Sequence, residues 1–190
     1  KIWEQYTTDT MGAALRMDAL KTSHPIQVPI RRAEEVEQVF DAISYWKGST
    51  VVRMAETVVG PANFQLGLQI YMKKHQYSNT TTDDLWNCWS EACQMSGNPI
   101  DVGALMRSWT SKMGHPYLKV VNEQWDDSKG IVKFTLEQNW FLSDGSAATE
   151  DPIWSIPLIL STSTSESSSA IIMNKKQQTF QLNYNGANDY

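Results

Sequence analysis

The sequence predicts an α+β fold, with a helical half over residues 1–115 and a small antiparallel β-sandwich over residues 116–190. The first observation is a change in the spacing of apolar residues near residue 115, from the period of a helix to the period of a strand. The second is the composition, with 41% hydrophobic and 19% charged residues among 190. Such a balance is typical of a globular chain and excludes a disordered one.

Four apolar stripes at helical spacing predict four helices in the first half. They cover residues 51–59, 64–75, 85–93 and 102–113. Gly60 and Pro61 end the first stripe, and Gly114 ends the fourth. Thr82 and Asp83 precede the third stripe and are candidates to cap its helix. Because the connecting loops are short, we expect the helices to pack as antiparallel neighbours.

The segment FDAISYWKGST, residues 40–50, leads into the first of these helices. Its residue types allow two interpretations of Tyr45. In one, the tyrosine is an aromatic side chain that anchors the helix entrance and covers the core. In the other, the helix entrance presents Tyr45 as a catalytic residue. Composition and periodicity do not choose between them.

Alternating apolar residues predict strands in the second half. The alternation covers residues 118–121, 132–136, 154–160 and 180–184, and the short run 170–173 could pair with a neighbour. DDSKG (126–130) predicts a turn between the first two strands, and STSTSESSS (161–169) predicts a polar loop. About 70 residues make a thin sandwich, and truncation of its last strand stays open.

Charge and hydropathy exclude several classes of partner. A net charge of −5 argues against nucleic acid, which requires a basic face. No apolar run approaches the roughly 20 residues that span a bilayer, so we expect no transmembrane segment. No signal peptide is visible. The chain begins at Lys1 without a methionine, so we expect it to be a piece of a longer protein.

The two cysteines do not predict a disulfide. Cys88 and Cys93 lie five positions apart in one predicted helix, which places their Cα atoms about 8 Å apart. That separation exceeds the roughly 7 Å limit for a disulfide. We therefore expect two small core hydrophobes, which is compatible with a reducing compartment.

The three histidines do not predict a metal site. His75 lies on the apolar face of its helix and is expected at the core or its boundary. His24 in Ser-His-Pro predicts a turn, and His115 in Gly-His-Pro predicts a linker. The sequence contains no HExxH and no CxxC motif, and it lacks the G-x-S-x-G and G-x-G-x-x-G motifs. Residue types alone therefore assign no chemistry.

Five segments resemble the zinc aminopeptidases (gluzincins) related to puromycin-sensitive aminopeptidase and aminopeptidase N. In chain order they are MDALKTSHPIQVPI (17–30), EEVEQVFDAISYWKGSTVVRM (34–54), FQLGLQIYMKKHQYSNTTTDDLW (64–86), MRSWTSKMGHPYLKV (106–120) and WSIPLIL (154–160). The resemblance covers nearly the whole chain. It implies the helical C-terminal half of a thermolysin-like catalytic domain, followed by the β-sandwich domain of this family.

The resemblance also implies roles for three residues. The family's catalytic tyrosine matches Tyr45 and donates a hydrogen bond to the oxyanion that forms when water attacks the scissile carbonyl. A phenol suits this role because it stays protonated at neutral pH. Phe40 matches a residue that lines the pocket for the first side chain of the substrate, with core packing as the alternative. Trp46 lies at a variable position, where its bulk could narrow neighbouring subsites.

The resemblance further implies zinc as cofactor and peptides as substrates. However, the family's HExxH and G-x-M-E-N motifs are absent from this sequence, so the zinc ligands are expected outside the chain and the chain alone is expected to be inactive. The alternative is a non-enzymatic scaffold or peptide-binding module that has lost the zinc site. A cytoplasmic location is expected, and the oligomeric state stays open.

Overall fold

The protein, described here as a computed structural model, is a mixed α+β chain in which residues 1–148, 150–162 and 170–184 are described. It divides into two compact units, Lys1–Gly114 and His115–Tyr190, here termed the helical unit and the β unit. Most of the serine-rich stretch 161–169, predicted as a loop, lies outside the described residues.

The helical unit begins with a helix through residues 2–18 that the sequence patterns did not predict. It is α-helical over Ile2–Gln5 (α1), π-helical over Tyr6–Met11 and α-helical again over Gly12–Asp18 (α2). None of the residues over the first eleven positions is buried. A helix with so little buried apolar surface leaves no clear stripe in the sequence.

The four predicted helices follow, with two corrections at their ends. They are α3 (Gly48–Val59), α4 (Pro61–His75), α5 (Thr82–Met95) and α6 (Val102–Thr110). The cap of α5 is Thr81 rather than Thr82 or Asp83, because Thr81 and Asp84 form a reciprocal capping box. Helix α6 ends at Thr110, four residues before the predicted Gly114.

The core of the helical unit lies between helices α3, α4, α5 and α6. Helices α3, α5 and α6 contribute buried side chains to it: Val51, Ala55, Val59, Trp86, Cys88, Trp89, Ala92, Cys93, Val102, Leu105 and Met106. Cys88 and Cys93 are buried and free, as predicted. Gly67 of α4 lets this helix approach α5 closely, because a Cβ at this position would lie 2.2 Å from Cδ1 of Trp89.

Within its described residues, the β unit contains two antiparallel sheets. Its strands are β1 (Pro116–Asp126), β2 (Ile131–Trp140), β3 (Ile156–Leu158), β4 (Ile171–Met173) and β5 (Gln177–Asn183). One sheet has the order β1-β2-β5, and β3 pairs with β4 in the other. The strand predicted over residues 154–160 is only three residues long, and the run near residue 170 does pair with it.

Strand β1 departs from its predicted alternation. Leu118 and Val120 were predicted to share one face of the strand, apart from Lys119 and Val121. Instead the strand is exposed from Leu118 to Trp125, including Val120 and Val121. The register shifts between Val120 and Asn122, which indicates a bulge, and the strand lies at the edge of its sheet. Alternation in the sequence therefore marked a strand but not a buried face.

Gln138 of β2 is the largest polar side chain in the core of the β unit and is fully buried. Its side-chain amide oxygen accepts a hydrogen bond from the backbone N–H of Trp154 at 2.8 Å. Its amide nitrogen donates to the backbone carbonyls of Trp154 and Lys175, each at 3.0 Å. These bonds compensate the cost of burying an amide.

Among the residues that are described, none of the helices has the length and apolar character required to cross a membrane.

Candidate active site

Tyr45 lies in a π-helical turn, Ile43–Lys47, that continues directly into α3. Its side chain is 59% exposed, and that of Phe40 just before the turn is 64% exposed. The two rings are in contact, with centroids 6.2 Å apart and planes inclined by 33°. Two of the three side chains singled out in the sequence thus lie together on the surface. Core packing, the alternative for Phe40, does not hold within the helical unit.

Trp46 follows Tyr45 and is 40% exposed. Its carbonyl accepts a hydrogen bond from the Ser49 hydroxyl at 2.8 Å, which supports the start of α3. Phe40 and Tyr45 are thus the two candidate residues whose rings are in contact, and Trp46 is the next residue in the chain.

Asp41 caps the helical turn that carries Tyr45. Its Oδ1 accepts the backbone N–H of Ser44 at 2.8 Å, and its carbonyl accepts the N–H of Tyr45 at 3.1 Å. The first N–H groups of a helix have no partner within the helix, so a carboxylate at this position satisfies one of them. The second carboxylate oxygen, Oδ2, contacts Nε2 of His24.

The partners of His24 indicate its protonation state. Nδ1 lies 2.7 Å from the carbonyl oxygen of Pro25, and Nε2 contacts the Asp41 carboxylate. A carbonyl and an ionised carboxylate can only accept, so both ring nitrogens must donate and the ring carries a positive charge. Burial tends to lower the pKa of His24, but the Pro25 and Asp41 hydrogen bonds and the Asp41 and Asp18 charges outweigh it and raise the pKa.

The Asp41 carboxyl shows the complementary shift. Partial burial tends to raise its pKa, but the hydrogen bond from Ser44 and the contact with His24 outweigh burial and hold the pKa below its usual value. His24 and Asp41 are therefore an ion pair, with about a third of each side chain exposed. Ser-His-Pro predicted a turn at His24. The turn instead closes at Ser23, whose N–H donates to the Leu20 carbonyl at 3.0 Å, and His24 follows it and pairs with Asp41.

Lys47 anchors the other end of the turn. Its side chain is only 4% exposed, and its Nζ lies 2.8 Å from Oδ2 of Asp18, which is 2% exposed. The remaining two protons of Nζ are donated to the carbonyls of Lys112 and Gly114, at 3.1 and 3.0 Å. Burial lowers the pKa of Lys47, and the Asp18 carboxylate opposes this effect.

Asp18 is held in turn by two further donors. Its Oδ1 accepts the Ser23 hydroxyl at 2.7 Å and the Gly114 N–H at 2.9 Å. The sequence patterns did not predict this buried ion pair. A signal was present, because Lys47 lies four positions before Val51 on the face that is buried along α3. A lysine whose ammonium is buried requires an anionic partner, although spacing does not identify which one.

A cavity of about 450 Å³ opens beside the turn. Its lining is mainly apolar and includes Ser44, Gly48 and Val39, but not Phe40 or Tyr45. The cavity is therefore next to the exposed tyrosine and not beneath it. This cavity therefore does not form a pocket together with Phe40. A pocket for a substrate side chain at Phe40 would need other residues as its remaining walls.

The described residues do not supply a metal site. Within them, no group of three or more His, Cys, Asp or Glu side chains is placed to hold a metal ion. The acidic and histidine side chains nearest the turn, Asp41 and His24, are already paired with each other. These residues therefore do not fit a bound zinc ion, and no catalytic step through a metal is derived from them.

A family model matches this chain over the part that contains the site. Residues 1–109 match the model described as the peptidase family M1 domain. The match covers more than half of the chain and includes Phe40, Tyr45 and both ion pairs apart from their contacts with residues 112–114.

Named relatives match over nearly the whole chain. The alanine/arginine aminopeptidase of Saccharomyces cerevisiae is 38% identical over 183 residues, which cover 96% of this chain and 20% of that protein. Aminopeptidase 2, mitochondrial, of the same yeast is 37% identical over 183 residues, which cover 96% of this chain and 18% of that protein. The puromycin-sensitive aminopeptidase of Caenorhabditis elegans is 38% identical over 184 residues, which cover 96% of this chain and 19% of that protein. The chain thus spans about a fifth of the length of these relatives.

Proposed function

Because the chain belongs to peptidase family M1, we propose that it forms part of an aminopeptidase that removes N-terminal residues from peptides, with Tyr45 as a donor to the oxyanion. The helical unit would be the C-terminal half of a thermolysin-like catalytic domain, and the β unit the β-sandwich domain that follows it. The family is generally zinc-dependent, and the ligands would come from residues outside this chain.

The observation that favours this role is the position of the Tyr45 hydroxyl. The side chain is more than half exposed at the start of a helix whose backbone is fixed on both sides. Among the described residues, nothing accepts a hydrogen bond from this hydroxyl, so the proton is available to a substrate. An anchoring aromatic would instead be expected to bury its ring.

A phenol in this place has the chemistry that the reaction needs. When water attacks a peptide carbonyl, the oxygen of that carbonyl gains negative charge. A phenol offers one directed O–H donor to this oxygen. A donor aimed at a developing oxyanion contributes about 3 to 4 kcal/mol to transition-state stabilisation in other hydrolases. Phe40, in contact with the Tyr45 ring, would form an apolar wall for the first side chain of the peptide.

The test is a Tyr45→Phe substitution in an active context. These residues would replace the matching segment of the yeast alanine/arginine aminopeptidase, and turnover of an aminoacyl reporter substrate would be measured. Removing the hydroxyl should lower kcat by about 10²- to 10³-fold, because one oxyanion donor is lost. KM and zinc content should change little. Near-normal kcat in Tyr45→Phe would remove this residue from the mechanism.

Two controls accompany this experiment. Tyr77→Phe removes a hydroxyl from a fully exposed side chain in the same unit and should leave kcat unchanged. The 190-residue chain alone, supplied with zinc, should not cleave the substrate, because its sequence lacks HExxH. A folded, zinc-loaded chimera without activity would favour the non-enzymatic peptide-binding alternative. The cytoplasmic location stays a prediction.

A further inference from the structure

We propose that Asp41 and His24 are positioning residues for Tyr45: their ion pair holds the first turn of the helix so that the phenol keeps one direction. The catalytic part of this inference rests on the proposed function of Tyr45. Its structural part, that the pair restrains residues 43–47, can be tested without any activity.

The first step is the unusual geometry of the turn. Ile43–Lys47 is π-helical, a rare conformation that occurs mostly as single turns within α-helices and frequently at functional sites. An α-helix would direct Tyr45 differently relative to α3, because a π turn inserts additional backbone into the helix. A turn that departs from the α-helical pattern is expected to need support from other parts of the molecule.

The second step is that this support is present at both ends of the turn. At its end, Lys47 is bound within the core to Asp18 and two carbonyls. At its start, Asp41 binds the N–H of Ser44 through its side chain and that of Tyr45 through its carbonyl. Because the end of the turn at Lys47 is already fixed, the direction of the Tyr45 side chain depends on how the start of the turn is held.

The third step is that Asp41 is itself oriented by His24. One carboxylate oxygen faces Ser44, and the other contacts Nε2 of His24. The His24 ring is in turn fixed by its Nδ1–H bond to the carbonyl of Pro25. Both carboxylate oxygens are thus engaged, and the Asp41 side chain has one orientation in which every bond is made.

The structural test is amide hydrogen exchange at Ser44 and Tyr45 in the 190-residue chain, measured by NMR. Asp41→Ala removes the acceptor for the Ser44 N–H, so exchange at Ser44 should rise about fivefold, the usual effect of losing a helix cap. Asp41→Asn keeps an oxygen in the same place and should restore most of the protection. His24→Leu leaves the cap but removes its partner, and should raise exchange at Ser44 at least about twofold.

A matched control comes from another cap in the same unit. Asp101 accepts the N–H of Ala104 at 2.8 Å at the start of α6. Asp101→Ala should raise exchange at Ala104 by a similar factor without changing Ser44. If Asp41→Ala does not fold, His24→Leu decides the question, because His24 is partly exposed and its loss leaves the core intact.

The catalytic test uses the chimera described above. Asp41→Ala should lower kcat at least about tenfold with little change in KM, because a misdirected phenol loses an interaction that is made only in the transition state. Asp41→Asn should recover most of this loss in kcat. A merely stabilising role would change the melting temperature of both variants without this difference in kcat.

The outcomes separate the two proposals. Unchanged exchange at Ser44 in Asp41→Ala and His24→Leu overturns the positioning role, whatever Tyr45→Phe does to activity. Increased exchange at Ser44 together with normal kcat overturns the catalytic part of the inference. If Tyr45→Phe also retains normal kcat, the proposed function of Tyr45 fails while the restraint of the turn stands.

Discussion

The buried ion pair between Lys47 and Asp18 makes the sharpest stability prediction. Lys47→Met keeps most of the volume and length of the side chain but removes the ammonium group. Asp18, 2% exposed, would then keep a charge without a cation, and the carbonyls of Lys112 and Gly114 would lose their donor. We expect the helical unit to lose much of its stability.

The magnitude follows from the partners that remain. Breaking a buried ion pair by removing one partner typically costs about 3 to 5 kcal/mol. Asp18 still accepts from Ser23 and from the Gly114 N–H, which places the expected loss near the lower end, about 3 kcal/mol. That is a large part of the roughly 5 to 15 kcal/mol by which a domain is usually stable.

Urea unfolding of the 190-residue chain provides the assay. Far-UV circular dichroism reports mainly on the helical unit, and the free energy of unfolding is obtained by linear extrapolation. Lys74→Met is the matched control, because Lys74 lies 3.4 Å from Glu91 with both side chains about half exposed. Such a surface pair contributes less than about 1 kcal/mol.

A companion variant checks the cause. Replacing both partners, as Asp18→Leu with Lys47→Met, removes the unpaired charge and should recover part of the stability that Lys47→Met loses. The reasoning is refuted if Lys47→Met costs no more than Lys74→Met. It is also refuted if Asp18→Leu with Lys47→Met is less stable than the sum of the two single losses predicts.

Two further predictions concern pH and packing. The pKa of His24 is raised by its hydrogen bonds to the Pro25 carbonyl and Asp41 and by the charges of Asp41 and Asp18. Its contribution to stability should therefore be fully present below about pH 6.5 and fall as the pH rises through the raised pKa. His24→Gln should remove this pH dependence of the unfolding free energy. The change should stay within about 1 kcal/mol, because the ion pair is partly exposed. A pH profile that is the same in His24→Gln as in the original chain would contradict the ion pair. Gly67→Ala should destabilise the helical unit by about 1 to 3 kcal/mol in urea unfolding, because the new Cβ would lie 3.0 Å from the Cα of Trp89. A neutral or stabilising effect of Gly67→Ala would show that α4 and α5 can separate without cost.

Local patterns were sufficient for the elements whose own residues create a buried face. The stripe that begins at Val51 predicts α3, and Gly60, with φ of +81°, ends it as expected. The same holds for α5 and for strands β2 and β5, whereas α4 forms where its stripe predicts it although Gly67 is its only buried residue. Helical or alternating spacing is a property of neighbouring residues, so one sequence shows it directly.

Local patterns failed where exposure or pairing depends on distant residues. The alternation around Leu118 predicted one face of β1 set apart from the other, yet the strand lies exposed at a sheet edge. The helix through residues 2–18 has few buried residues and left no stripe. Whether a strand is central or an edge, and whether a polar helix is supported, is decided by the other elements.

The candidate site divides in the same way. The sequence by itself determined that Tyr45 stands at the entrance of α3, and its resemblance to the zinc aminopeptidases determined which family to expect. Only the tertiary structure decided how that tyrosine is held, because Asp18 and His24 are far from the turn in the chain and reach it only after folding. A charge can be read from one position, but its partner depends on distances that the sequence does not contain.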